Sequence, residues 1–179
     1  AATDLAASTV SGTLGVTSTG AVTDSGTLAI TGATTISASG QDITLDEAAS
    51  TFGALALTGA NVAVTENAAT DLAASTVSGT LGITSAGAVT DSGTLAITGA
   101  TTISASGQDI TLDEAASTFG TLALTGSNVA VTENAAMDLG ASTIGGTANF
   151  NSTSNVITDS GTLAITGATT INAGTADIT

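Results

Sequence analysis

The sequence has 179 residues and contains no Lys, Arg, His, Cys, Pro, Trp or Tyr, while 15 Asp and Glu give a formal net charge of −15. A surface of that sign repels nucleic-acid phosphates and anionic lipid headgroups, so neither nucleic-acid binding nor docking on acidic membranes is expected. Without His, Lys or Cys the usual general bases and nucleophiles are missing, and no side-chain cation stands ready to stabilise developing negative charge, so the chain is not expected to be an enzyme.

Rigidity has to come from something other than disulfides, because there is no cysteine. No stretch approaches the roughly 18 consecutive strongly apolar residues of a membrane helix. No basic segment precedes an apolar run, so no signal peptide is visible; the chain does not start with Met, so that absence says little about compartment. Hydrophobic residues make up 42% of the chain, too many for a disordered acidic tail. They are mainly Ala, Val, Ile and Leu, accompanied by Thr, which favours strands over helices.

In chain order, short segments with Leu, Ile or Val at alternate positions occur at 13–17 (TLGVT), 21–24 (AVTD), 27–31 (TLAIT), 34–38 (TTISA), 42–46 (DITLD), 54–58 (ALALT) and 61–65 (NVAVT). Weaker ones follow around Leu72 and Val77. Alternation with period two is the pattern of a half-buried strand, and the Gly, Ser, Asn and Asp between segments supply the turns. The outward positions are small: Thr13, Gly15 and Thr17, then Thr27, Ala29 and Thr31, then Ala54, Ala56 and Thr58.

The pattern then starts again. Ala1 to Asn67 returns as Ala68 to Asn134 with only four differences: Val16/Ile83, Thr19/Ala86, Ala54/Thr121 and Ala60/Ser127. A third, more divergent copy runs from Ala135 to Thr179, with Phe150 at the position of Val16 and an extra residue near Ile157. This organisation predicts one continuous segment over 1–179 with repeats 1–67, 68–134 and a partial 135–179. The expected fold is all-β, a right-handed parallel β-solenoid (β-helix) with about three coils per 67-residue repeat. Dividing one repeat into coils 13–33, 34–60 and 61–79 would stack Leu14, Ile36 and Val62 in one inward column and Leu28, Leu55 and Val77 in another. Since the chain stops inside a repeat, a longer parent chain or head-to-tail self-association into filaments is expected.

The only charged side chains are carboxylates, so a hard cation is the one cofactor worth testing. Asp46 with Glu47, and Asp113 with Glu114, are the Ca²⁺ candidates, because Ca²⁺ takes carboxylate and carbonyl oxygens. The competing reading makes them solvated turn residues that keep the molecule soluble. No GGxGxD nonapeptide or EF-hand loop occurs. Asp24-Ser25-Gly26, which recurs twice more, lacks a base to activate its serine and reads as a tight turn with an Asp side-chain bond to backbone. Outward Thr residues raise an ice-binding face as an alternative, although no strict Thr-x-Thr column runs through all the coils. Phe52, Phe119 and Phe150 read as core plugs rather than stacking platforms.

The GTLAITGATTISA and GALALTGANVAVTEN stretches resemble the β-helical repeat regions of large secreted bacterial adhesins, of the filamentous haemagglutinin and autotransporter-passenger type. The resemblance implies export to the cell surface and a role as an extracellular structural fibre or adhesin stalk, with a cell-surface or matrix partner and no catalysis. A surface binding module, Ca-dependent or ice-binding, is the alternative. The two readings differ in where variation falls. A spacer keeps its copies alike, as the first two are, whereas a specific contact would fall where the third departs, at Asn149 to Ile157.

Overall fold

Alternation of apolar and small polar residues has the expected consequence: the chain forms strands and no helix. The computed structural model describes residues 1–179, with 24 short strands from Thr3–Leu5 to Thr169–Asn172. Burial follows the period-two pattern. In Ala54–Gly59, Leu55 and Leu57 are buried while Ala54, Ala56 and Thr58 face outward. Thirty-five buried hydrophobic residues form one cluster from Val22 to Ala173, so the core is a continuous axial column.

Every strand pairing is parallel, and each strand lies on a later turn of the same chain. Thr3 pairs with Val22, Val22 with Ile43, Ile43 with Val62, Val62 with Leu81, Leu81 with Thr101 and Thr101 with Leu122. Stacked partners lie between 17 residues apart (Leu55 and Leu72) and 22 apart (Ala29 and Thr51). The result is a β-solenoid of about eight turns. With strands about 4.8 Å apart across the ladder, its length is roughly 40 Å.

The average of about three coils per repeat holds, but the coil boundaries differ from those expected. Val62 stacks between Ile43 and Leu81, not over Ile36, which lies between Val16 and Leu57. Leu55 stacks on Thr34 rather than Leu28. Two features move the boundaries. Thr51, between the expected strands 42–46 and 54–58, bridges Ala29 and so occupies a strand position. The six-residue strand Ala54–Gly59 carries two short strands above it, Thr70–Leu72 and Ser75–Val77, and Thr121–Gly126 carries Met137–Leu139 and Ser142–Ile144 in the same way. Periodicity tells which side chains face inward, not where the chain turns a corner.

A repeat is therefore somewhat more than three coils, and identical segments are rotated about the axis from copy to copy. Leu14–Thr17 lies in one eleven-stranded sheet, its counterpart Leu81–Ser85 in the other, and the third counterpart, Ala148–Ser152, in the first again. The third copy's additional residue lengthens one coil, with Met137 and Ile157 stacked 20 residues apart where Thr70 and Val89 are 19 apart. The same turn contains Ser154, the one non-glycine residue with positive φ (71°).

Corners are held by ladders that run along the axis. Asn61 donates to Asp42 Oδ1 from both its backbone N–H and its Nδ2, and its Oδ1 accepts from Thr80; Asn128 repeats this between Asp109 and Thr147. Glycines stack where backbones approach closely. A Cβ on Gly99 would come within 2.5 Å of the Gly79 carbonyl oxygen, whereas one on Gly82 would meet nothing nearer than 3.9 Å. Gly99→Ala should therefore lower the thermal midpoint, with a cost of about 1–3 kcal/mol for the forced backbone shift. Gly82→Ala should leave it unchanged or raise it, a contrast that calorimetry on the two variants checks.

Candidate functional site

Asp46 and Glu47, like Asp113 and Glu114, lie on a corner turn, with the Asp exposed and the Glu half-buried. Their backbone is anchored to a deeper carboxylate: Asp46 N–H donates to Asp24 Oδ1 at 2.9 Å, and Asp113 N–H to Asp91 Oδ1 at 2.8 Å. Nowhere do three or more acidic side chains come together as a group able to hold a metal ion. Each turn thus offers a cation one exposed and one half-buried carboxylate, well short of the six to eight oxygens of a Ca²⁺ shell. Melting in Ca²⁺ and in EDTA should give the same midpoint; a rise with Ca²⁺ would mean that the turn rearranges around the ion.

The chemically unusual groups are four carboxylates inside the solenoid. Asp24 and Asp91 are the inward ends of Val22–Asp24 and Val89–Asp91, and Glu66 and Glu133 those of Val62–Glu66 and Val129–Glu133. A sequence signal for them existed. In VAVTE the two valines and the glutamate occupy alternate positions, so extending the strand by one residue places the carboxyl inside.

Glu66 Oε1 accepts the Phe52 N–H at 2.7 Å, and Glu133 Oε2 accepts the Phe119 N–H at 2.9 Å. The other oxygen of each is buried with no partner, and Glu133 is 0% exposed. No cationic side chain exists to pair with either. Burial is the main cause that raises all four carboxyls above their ordinary range, with Glu133 pushed up to about 8. Hydrogen bonds from backbone N–H groups oppose the shift: Asp46 and Glu47 act on Asp24, Asp113 and Glu114 on Asp91, Phe52 on Glu66 and Phe119 on Glu133.

The Asp24-Ser25-Gly26 triplet is not a self-contained tight turn. Asp24 binds the backbone of Asp46 on the following coil, and Ser25 Oγ donates to Asp4 Oδ2 on the preceding one at 2.7 Å. The Asp–Ser bond recurs in Asp71–Ser92 and Asp138–Ser160, each at 2.8 Å. Outward hydroxyls stack in files one residue wide: Thr65, Thr84, Ser104, Thr125 and Thr143 lie beside the mostly small Ala63, Gly82, Thr102 and Ala123, and Thr17, Ser37, Thr58 and Thr76 form another file in the other sheet. Phe52, Phe119 and Phe150 are all buried, as plugs of the core.

Compared with known families, all three copies match one repeat model, "Repeats of unknown function (DUF5649)", over residues 1–58, 59–125 and 126–179. The chain belongs to this repeat family. No curated protein and no solved structure matches it, and the resemblance to bacterial adhesins has no counterpart in these comparisons.

The buried acids determine how stability depends on pH. Each holds its proton more tightly when folded than when unfolded, so the folded state binds more protons across the window between the two pKa values. Stability is then greatest below the ordinary carboxylate range and declines as pH rises. For Glu133 the window runs from 4.5 to about 8, with a loss of up to about 1.4 kcal/mol per pH unit. Melting should show a midpoint that falls steadily from pH 5 to about pH 8 and then levels off, and Glu133→Gln should flatten the slope. A midpoint that rises over this range would contradict the assignment.

Proposed function

We propose that the chain is a structural rod or stalk segment, an extracellular spacer whose mechanical continuity is its function and which has no catalytic centre. The observation that carries this reading is the unbroken core: 35 buried hydrophobic residues in one cluster, with parallel strands hydrogen-bonded from coil to coil throughout. A stack in which each coil contacts only its neighbours extends by adding coils, without a new fold. The near-identity of the first two copies supports a spacer, since a local binding site would break the repetition.

The resemblance of the GTLAITGATTISA rhythm to secreted bacterial adhesins supports placement at the cell surface. Complete absence of Lys and Arg also leaves no trypsin site in the folded or unfolded chain. Self-association is the partner this geometry favours. Leu5, Val10, Leu14 and Val16 are half-buried at one end of the stack, while Leu163, Ile165 and Ile171 are half-buried at the other. The strand edges beside those residues suit the next coils of a longer chain or a second copy stacked head to tail.

A second reading, a local contact surface on the third copy, draws support from Val156, which is 36% exposed in the turn that carries the extra residue.

Negative-stain electron microscopy of the purified 179-residue chain, at rising concentration, tests the rod reading. The expected images are straight rods whose lengths are multiples of one segment, roughly 40 Å. Globular particles would refute the rod, and single short rods at every concentration would refute end-to-end stacking while leaving the rod intact.

A further inference from the structure

The two inward glutamates close corresponding corners of successive copies. Glu66 reaches from the end of Val62–Glu66 to the N–H of Phe52, and Glu133 from the end of Val129–Glu133 to the N–H of Phe119. Each bond spans 14 residues and ties the acidic corner turn, 46–52 or 113–119, to the coil above it. The same corners have backbone ties, Asn67 N–H to Ser50 O and Asn134 N–H to Ser117 O, so the glutamate is the part of the closure that titrates.

A neutral carboxylic acid can keep one oxygen unpaired inside a protein at modest cost, but a carboxylate there has to draw in water or a donor. The serine in register with each, Ser85 with Glu66 and Ser152 with Glu133, spends its hydroxyl proton on a backbone carbonyl, of Ala68 or Ala135, and no cation comes from the stacked strands. Ile43–Leu45 and Leu81–Ser85 around Glu66, and Ile110–Leu112 and Ala148–Ser152 around Glu133, contain no titratable residue. The carboxylates closest in sequence to each corner are Asp46, Glu47 and Asp71 for the first, and Asp113, Glu114 and Asp138 for the second; all carry the same sign and lie at exposed or half-buried positions.

The strand over Glu66, Leu81–Ser85, and the strand over Glu133, Ala148–Ser152, differ in sequence but keep the serine in register, and one further difference removes a donor. Thr70, four residues after Glu66, is buried, and its hydroxyl donates to Ser85 Oγ at 2.9 Å in the closed corner. A hydroxyl rotates freely, so this one can turn to the unpaired oxygen of Glu66, and its effect is to favour the charged form. The counterpart beside Glu133 is Met137, fully buried and without a donor.

We propose that Glu66 and Glu133 are proton-held latches on the two acidic corner turns, and that the residue four positions on, Thr70 or Met137, sets the pH at which each latch opens. Protonated, the glutamate closes the corner. Ionised, it admits water and releases the turn while the rest of the coil stays stacked. The first corner opens at a lower pH than the second.

The small number of relevant residues makes the test direct. The chain has four glutamates, Glu47, Glu66, Glu114 and Glu133, and three phenylalanines, of which Phe150 lies inside the strand stacked on Val129–Glu133 and so reports the ladder and not the corner turn. Carboxyl ¹³C NMR of Glu-labelled protein across pH 4 to 10 should show Glu66 and Glu133 titrating above the ordinary carboxylate range, with Glu133 last. Amide exchange of ¹⁵N-Phe protein should show Phe52 and then Phe119 speeding up beyond the first-order rise with hydroxide that Phe150 shows.

Glu133→Gln should abolish the step at Phe119 and leave the one at Phe52. Met137→Thr should move the Phe119 step to lower pH, and it keeps the test open if the glutamine variant does not fold. Glu66 and Glu133 titrating within the ordinary carboxylate range, Phe52 and Phe119 following Phe150, or a Phe119 step unmoved by Met137→Thr would each overturn the proposal.

Discussion

Hydrogen bonding of each strand to the strand one turn later is the constraint on which the structure depends. A coil of about twenty residues cannot enclose a core on its own, and its strands would leave rows of backbone N–H and C=O groups unpaired. Stacking solves both problems together, since the bond from Leu14 N–H to Ala33 O, or from Val62 N–H to Thr80 O, is made only when the next coil is in place. The short strands, small outward residues and stacked corner glycines are consequences of that closeness. A bulky residue at Gly99 or Gly120 would hold two coils apart.

The same constraint explains how the chain does without cations. In most folded proteins carboxylates pair with Lys or Arg, but here they pair along the axis with hydroxyls and amides of adjacent coils: Asp4 with Ser25, Asp42 with Asn61, Asp138 with Ser160. Four carboxyls are drawn into the core, where backbone N–H groups are their donors. A protein of this kind has no salt bridges to lose in acid, and its electrostatic strain is greatest when all the carboxylates are charged.

Repeat and coil are different units. Because 67 residues exceed three coils, near-identical segments occupy different sheets in successive copies, as Leu14–Thr17 and Leu81–Ser85 do. A repeat-encoded feature such as the Asp46–Glu47 turn is consequently distributed around the axis instead of accumulating on one side. For a spacer this spreads the negative charge, which keeps any single flat face from becoming an adhesive edge.

What the residues themselves settled is the set of inward side chains and the class of fold. Leu, Ile and Val at alternate positions in 27–31, 54–58 and 61–65 are buried as the alternation requires, because a strand offers only two directions. The copy boundaries were equally plain. Corner positions were not legible, because turning depends on how neighbouring coils fit: Thr51 became a strand position by bridging Ala29, and Ala54–Gly59 came to carry two strands. The buried acids were legible only in part. The alternation in VAVTE points Glu66 inward, but its bond to Phe52 and the neighbouring Thr70 or Met137 arise from the stacking of coils, which the order of residues alone does not state. The repeat thus determined that there would be a solenoid, and the packing of coil on coil decided where it turns and which carboxyls it encloses.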